Sequence, residues 1–168
     1  SGDYNTAVGH KAGYVLQGAA TSNTFLGYAS GDKVTTGQSN IAIGRNTLGE
    51  ATTTSYCVSI GSYAGDAVNH IEANGSVFIG NSAGTATTTG RYTTAVGYQS
   101  FKTNIDGDKN TGLGYESGMS FEADTDGHGQ ATLIGFRAGK YISTGTGNTV
   151  LGAGAMEGDV NNPMAGDN

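Results

Sequence analysis

The 168-residue chain is short of almost everything that usually holds a domain together. It has one proline, one cysteine and no tryptophan, and only 13% of its residues are charged. Leu, Ile, Val and Phe together supply 28 residues, below the roughly 20% level at which a packed core becomes doubtful. Disorder normally pairs low hydrophobicity with high charge, so the scarcity of charge argues against a disordered chain. A lone Cys57 excludes an internal disulfide framework and a zinc ribbon. Eight scattered Lys and Arg against fourteen acidic residues, a net charge of −6, remove the electrostatic footprint of a nucleic-acid binder. Apolar runs stay well short of the roughly 18 residues of a membrane span, so membrane insertion is not expected. One proline beside 30 glycines fits neither collagen nor a proline-rich linker.

What is present is one motif, repeated along the whole chain. NTAVGHKAG at 5–13 returns as NTFLGYASG at 23–31, CVSIGSYAG at 57–65, SVFIGNSAG at 76–84 and NTGLGYESG at 110–118. Its central glycines are Gly9, Gly27, Gly44, Gly61, Gly80, Gly97, Gly114, Gly135 and Gly152, mostly 17 residues apart. Before each stands an aliphatic residue: Val8, Leu26, Ile43, Ile60, Ile79, Val96, Leu113, Ile134 or Leu151. Two positions earlier a β-branched residue recurs, from Thr6 to Thr149, and spacing of two puts both columns on one face of a strand. Their invariance predicts that this face is the structural core, with the variable column between them pointing away. Three residues after the glycine the side chain is always small, as at Ala12, Ser30 and Ala83, and a glycine often follows, which suits a positive-φ turn. Segments such as Lys33–Thr36 and Tyr141–Thr144 suit a second short strand. Length changes all fall between the turn and the next strand, as a solenoid permits. The expected fold is therefore all-β: a parallel β-solenoid of nine coils of about 17 residues, forming one repeat domain over 1–168. At about 4.8 Å per coil it makes a rod of roughly 40 Å. The chain opens at Ser1 directly into the first motif, and a segment of a longer fibre is expected.

The element NTAVG-x-x-AG resembles the repeats in the heads of trimeric autotransporter adhesins, and more closely the NTAIGYQAL-type repeats of phage tail-fibre proteins. Asn5, Asn23, Asn40, Asn110 and Asn148 carry the motif asparagine. The resemblance implies a left-handed β-roll, associated as a parallel homotrimer. It also implies an extracellular or virion location and a structural or adhesive, non-enzymatic role that presents a binding surface; a glycan or cell-surface receptor is the expected ligand, and further fibre segments or like subunits are expected at both ends. A subunit that polymerises head to tail into a filament is the alternative. A hexapeptide-repeat acyltransferase is another, because Val8–Gly13 fits one hexad; its histidine would have to be His10, His70 or His128.

Several side chains are candidates for recognition. Tyr28, Tyr98, Tyr115 and Phe136, with His10, follow the motif glycine and predict an aromatic column along the rod. Flat rings there suit a sugar platform or packing between coils or subunits. Phe121 and His128, with Glu122, Asp124 and Asp126, lie on the longest repeat and predict a projecting recognition loop. No cofactor is expected, but Asp106, Asp108, Asp124 and Asp126 are candidate calcium ligands in Asp-Gly-rich turns. Thr52–Thr54 and Thr87–Thr89 suggest ice-binding arrays, but the threonines that align between copies share the face assigned to the core. Cys57 replaces a motif asparagine and is expected to be inert.

Overall fold

The computed structural model describes residues 2–122, 129–159 and 164–165. It is an all-β, parallel β-solenoid of about eight turns. One strand of three residues recurs in each repeat: β1 Thr6–Val8, β2 Thr24–Leu26, β3 Ile41–Ile43, β4 Val58–Ile60, β5 Val77–Ile79, β6 Thr94–Val96, β7 Thr111–Leu113, β8 Thr132–Ile134 and, after one further strand, β10 Thr149–Leu151. These nine stack in sequence order into one parallel sheet whose register never slips: Thr24 lies on Ile41, Ile41 on Val58, Val58 on Val77. The second strand expected in each turn is not general. Lys33–Thr36 is turn and bend; among the described residues only Ile142–Thr144, β9, is a strand there, paired with β11 Met164–Ala165. Backbone bonds still link that wall, as in Thr35 N–H to the Thr52 carbonyl at 2.9 Å. The 19-residue spacing between Gly61 and Gly80 holds a 3-10 helix, Ile71–Ala73.

The motif residues each have a physical role. The Asn23 side chain accepts the backbone N–H of Asn40 at 2.9 Å, and Asn40 accepts that of Cys57 at 3.0 Å. Each amide also donates inward to a carbonyl, Asn23 to Gly37 at 2.9 Å and Asn40 to Thr54 at 2.8 Å. Asparagine offers a donor and an acceptor in one planar group, so it satisfies two buried backbone groups that a turn leaves orphaned. Cys57 continues the column, buried, with its Sγ 3.3 Å from the Ala73 carbonyl oxygen. Burial pushes its thiol up to about 11, which keeps it protonated and unreactive. The motif glycines adopt φ between +122 and +143. Beside Gly27 a Cβ would stand 2.5 Å from the Gly44 carbonyl oxygen of the next turn, so both conformation and space demand glycine.

The interior is the reverse of the sequence expectation. Phe25, Ala42, Ser59, Phe78, Ala95, Leu133 and Val150, the middle residues of their strands, are buried. The residues assigned to the core, Val8, Leu26, Ile43, Ile60, Ile79, Val96, Leu113, Ile134 and Leu151, lie on the other side of the sheet and none is buried. Val8 is 56% exposed, Leu26 46%, Leu113 49% and Leu151 76%. The opposite wall comes from the seventh residue after each motif glycine, including Val34, Ala51, Val68, Phe121 and Ile142. Phe121 is thus a core residue, edge-to-face with Phe101 at 5.5 Å, and not part of a projecting loop.

The middle column varies because it shares its volume with the fourth residue after the motif glycine. Phe25 is matched by Gly31 and Phe78 by Gly84; Ala42 is matched by Leu48 and Ala95 by Phe101. A Cβ on Gly31 or Gly84 would run into the ring of its own repeat's phenylalanine. All these fourth positions are left-handed whatever the residue, from φ +56 at Gly84 to +49 at Leu48 and +46 at Phe101. In these four turns the two positions trade volume; where both are small, as in Ser59 with Gly65 and Gly112 with Gly118, the Phe78 and Phe101 rings of neighbouring turns fill the space.

Candidate functional site

Turning the strands inward at the middle residue leaves an outer sheet face with two in-register columns. One runs Thr6, Thr24, Ile41, Val58, Val77, Thr94, Thr111, Thr132, Thr149; the other is the nine aliphatic residues before the motif glycines. In β3, β4 and β5 both columns are apolar, so the middle of the face is aliphatic across its width. A contiguous apolar surface on an otherwise polar molecule marks an interaction site. The aligned threonines therefore face outward too. The consecutive Thr52–Thr54 and Thr87–Thr89 sit in the second turns instead, with Thr54 and Thr87 buried.

Two further columns border this face. After the motif glycine, His10 stacks on Tyr28 at 5.1 Å and 14°. Further along, Tyr98, Tyr115 and Phe136 stack at 5.1 and 5.4 Å. The expected aromatic column is therefore two separate stacks; Arg45 extends the first, 6.0 Å over Tyr28 and 5.4 Å over Tyr63. Rings stacked between turns cover one another's faces and present a ribbon of edges. Tyr115, between two rings, has no free face for a sugar, so that stack is not a flat platform. On the other border, before the motif asparagine position, Tyr4, Tyr56 and Tyr92 stand exposed in left-handed backbone.

Beside the second stack lies a charged cluster. Glu116 receives Lys140 Nζ at 2.6 Å and Arg137 Nε at 3.0 Å, and Arg137 also reaches Glu157 at 3.4 Å. Burial works against the Glu116 carboxylate, yet the two cations hold it below the usual carboxyl range. Arg137 lies 5.0 Å from the Phe136 ring centre, tying the cluster to the stack.

The remaining candidates are placed as follows. Asp108 is buried and its Oδ1 accepts the Arg91 backbone N–H at 2.7 Å, which ties two successive turns together. Asp124, Asp126 and His128 lie outside the described residues. Among the described residues, no three His, Cys, Asp or Glu side chains gather into a group able to hold a metal. His70 caps the 3-10 helix, its Nδ1 accepting the Glu72 N–H at 3.2 Å.

Glu122 and Asp106, which the sequence suggests separately as a loop residue and a calcium candidate, are brought together as a carboxyl pair. Burial pushes the Glu122 carboxyl up to about 7 from an ordinary 4.5; the neighbouring Asp106 adds to the rise, while the Ile105 N–H at 2.7 Å opposes it. A carboxyl raised on folding binds more protons in the folded than in the unfolded chain between those two values. Its contribution to stability is therefore present below about pH 4.5 and is lost as pH rises through about 7. Glu122→Gln is expected to raise the melting temperature at pH 8 and leave it nearly unchanged at pH 4; an equal effect at both would exclude the coupling.

The chain matches no protein-family model, no curated protein and no solved structure.

Proposed function

We propose that the chain is a non-enzymatic structural segment of an extracellular trimeric fibre. In it, three copies of a left-handed β-roll bring their sheet faces together around a common axis. One observation carries this reading: the aliphatic residue kept in all nine copies faces outward. A residue held invariant at the surface needs a cause outside its own chain, and a second copy supplies one. Nine aliphatic side chains per chain, already partly covered within it, would each contribute on the order of 1 kcal/mol when buried together. Further fibre segments would continue the rod at its two ends. A glycan or cell-surface receptor would be met on the side facing away from the axis. Three copies of a weak site raise avidity.

Ile60→Asp tests this. It is expected to leave the far-ultraviolet circular dichroism of the rod intact while reducing its mass to that of a single chain. Phe78→Asp, at a buried position on the same sheet, is expected to unfold it. A folded, fully assembled Ile60→Asp variant would contradict the proposal. The outward threonine column favours one second reading, a flat ice-binding face of a single chain. Against it stand the aliphatic β3–β5 and the large side chains of the neighbouring column. A monomer showing thermal hysteresis would move the assignment there.

A further inference from the structure

Resting on the trimeric reading, we infer that the two border columns of the sheet face meet across each subunit boundary, same repeat to same repeat, as an interlocking seam. In every repeat the two border positions are six residues apart, with the strand between them. Closed threefold symmetry rotates without translation, so each copy's repeat lies level with the same repeat of its neighbours. The interface is heterologous: one border of a chain faces the opposite border of the next. Side chains six apart in sequence would thus become partners in space.

Their sizes and chemistry suit one another. Tyr28 would face Ser22, and Tyr56 would face Ser62, a large ring against a small hydroxyl side chain in each case. The side that carries the ring changes between these repeats, as a paired seam requires and independent columns do not. Lys109 would face Tyr115, an exposed ammonium against the edge and hydroxyl of a half-exposed tyrosine. Only Tyr4 with His10 and Tyr92 with Tyr98 set ring against ring, and aromatic pairs are themselves favourable contacts. The seam also accounts for tyrosines left 61% and 62% exposed at Tyr56 and Tyr92. Their rings lie next to an apolar face rather than among the polar turns.

Paired cysteines test the register. In a Cys57→Ser background, Tyr56→Cys with Ser62→Cys places two thiols in the same repeat on opposite borders. The strand alone separates them by about 10 Å, beyond the reach of a disulfide within one chain. Ser39→Cys with Ser62→Cys is the same pair offset by one repeat. Under oxidised glutathione, the same-repeat variant is expected to give covalent trimer on a non-reducing denaturing gel at least tenfold faster than the offset variant. Gln130→Cys with Phe136→Cys, at a second level, should behave like the first. Trimeric mass by light scattering with no preference for the same-repeat pairs would overturn the seam and leave the trimer standing. Monomeric mass would overturn both.

Discussion

Gly80→Ala is expected to destabilise the rod by about 2–6 kcal/mol, adding backbone strain of about 1–3 kcal/mol to overpacking of similar size. Gly80 sits at φ +135, and a Cβ there would lie 2.6 Å from the carbonyl carbon of Gly97 in the next turn. Nothing soft can give way, because both partners are backbone. Gly152→Ala separates the two contributions. Its φ, +128, is nearly the same, but the nearest atom to an added Cβ is Ala155 Cβ at 3.7 Å. It should therefore carry only the backbone strain. Thermal melts followed by circular dichroism should show Gly80→Ala lowering the midpoint at least twice as far as Gly152→Ala. Equal shifts would mean that turn-to-turn contact at the motif glycine contributes little.

The second large effect is a rescue. Phe78→Ala should cost about 3–5 kcal/mol, the usual loss for an emptied phenylalanine site. Gly84→Leu alone should also destabilise, because even its Cβ falls on the Phe78 ring. Together the two substitutions reproduce the arrangement of Ala42 with Leu48, where leucine is accepted at φ +49. The double variant should recover about 2–3 kcal/mol relative to the sum of the singles, the coupling typical of residues that share one volume. Additive losses from denaturant titrations would show that the two positions do not share an interior.

Much of the architecture is legible in the sequence, and the largest departure, the exchange of inside and outside faces, has a physical reason. The nine strands span Thr6–Val8 through Thr149–Leu151, each starting at the recurring β-branched residue. The positive-φ turn falls at Gly13, Gly31, Gly65, Gly84, Gly118 and Gly139. Alternation along three residues separates two faces but does not say which one is inside. Invariance marks a residue as constrained, and contact between chains constrains a residue just as tightly as burial within one. The inner face is better marked by volume exchange, Phe78 with Gly84 against Ala95 with Phe101. Val34, Val68, Phe121 and Ile142 mark it as well: they recur seven residues after the glycine and close the opposite wall. The aromatic stacks were visible as a column at Tyr98, Tyr115 and Phe136. Ring orientation was not visible, because it depends on the backbone stacking that brings neighbouring rings within 5.4 Å. The Glu122–Asp106 pair joins two turns through residues 16 apart, a spacing that no local pattern flags.

The outward aliphatic column and its burial by identical chains stand or fall on the mass of the unmodified protein in solution. Multi-angle light scattering at micromolar concentration is expected to give three times the 16.9 kDa of the chain. That mass should hold steady on dilution, with Ile60→Asp falling to a single chain. A folded, monodisperse particle of 16.9 kDa from the unmodified chain would contradict the account.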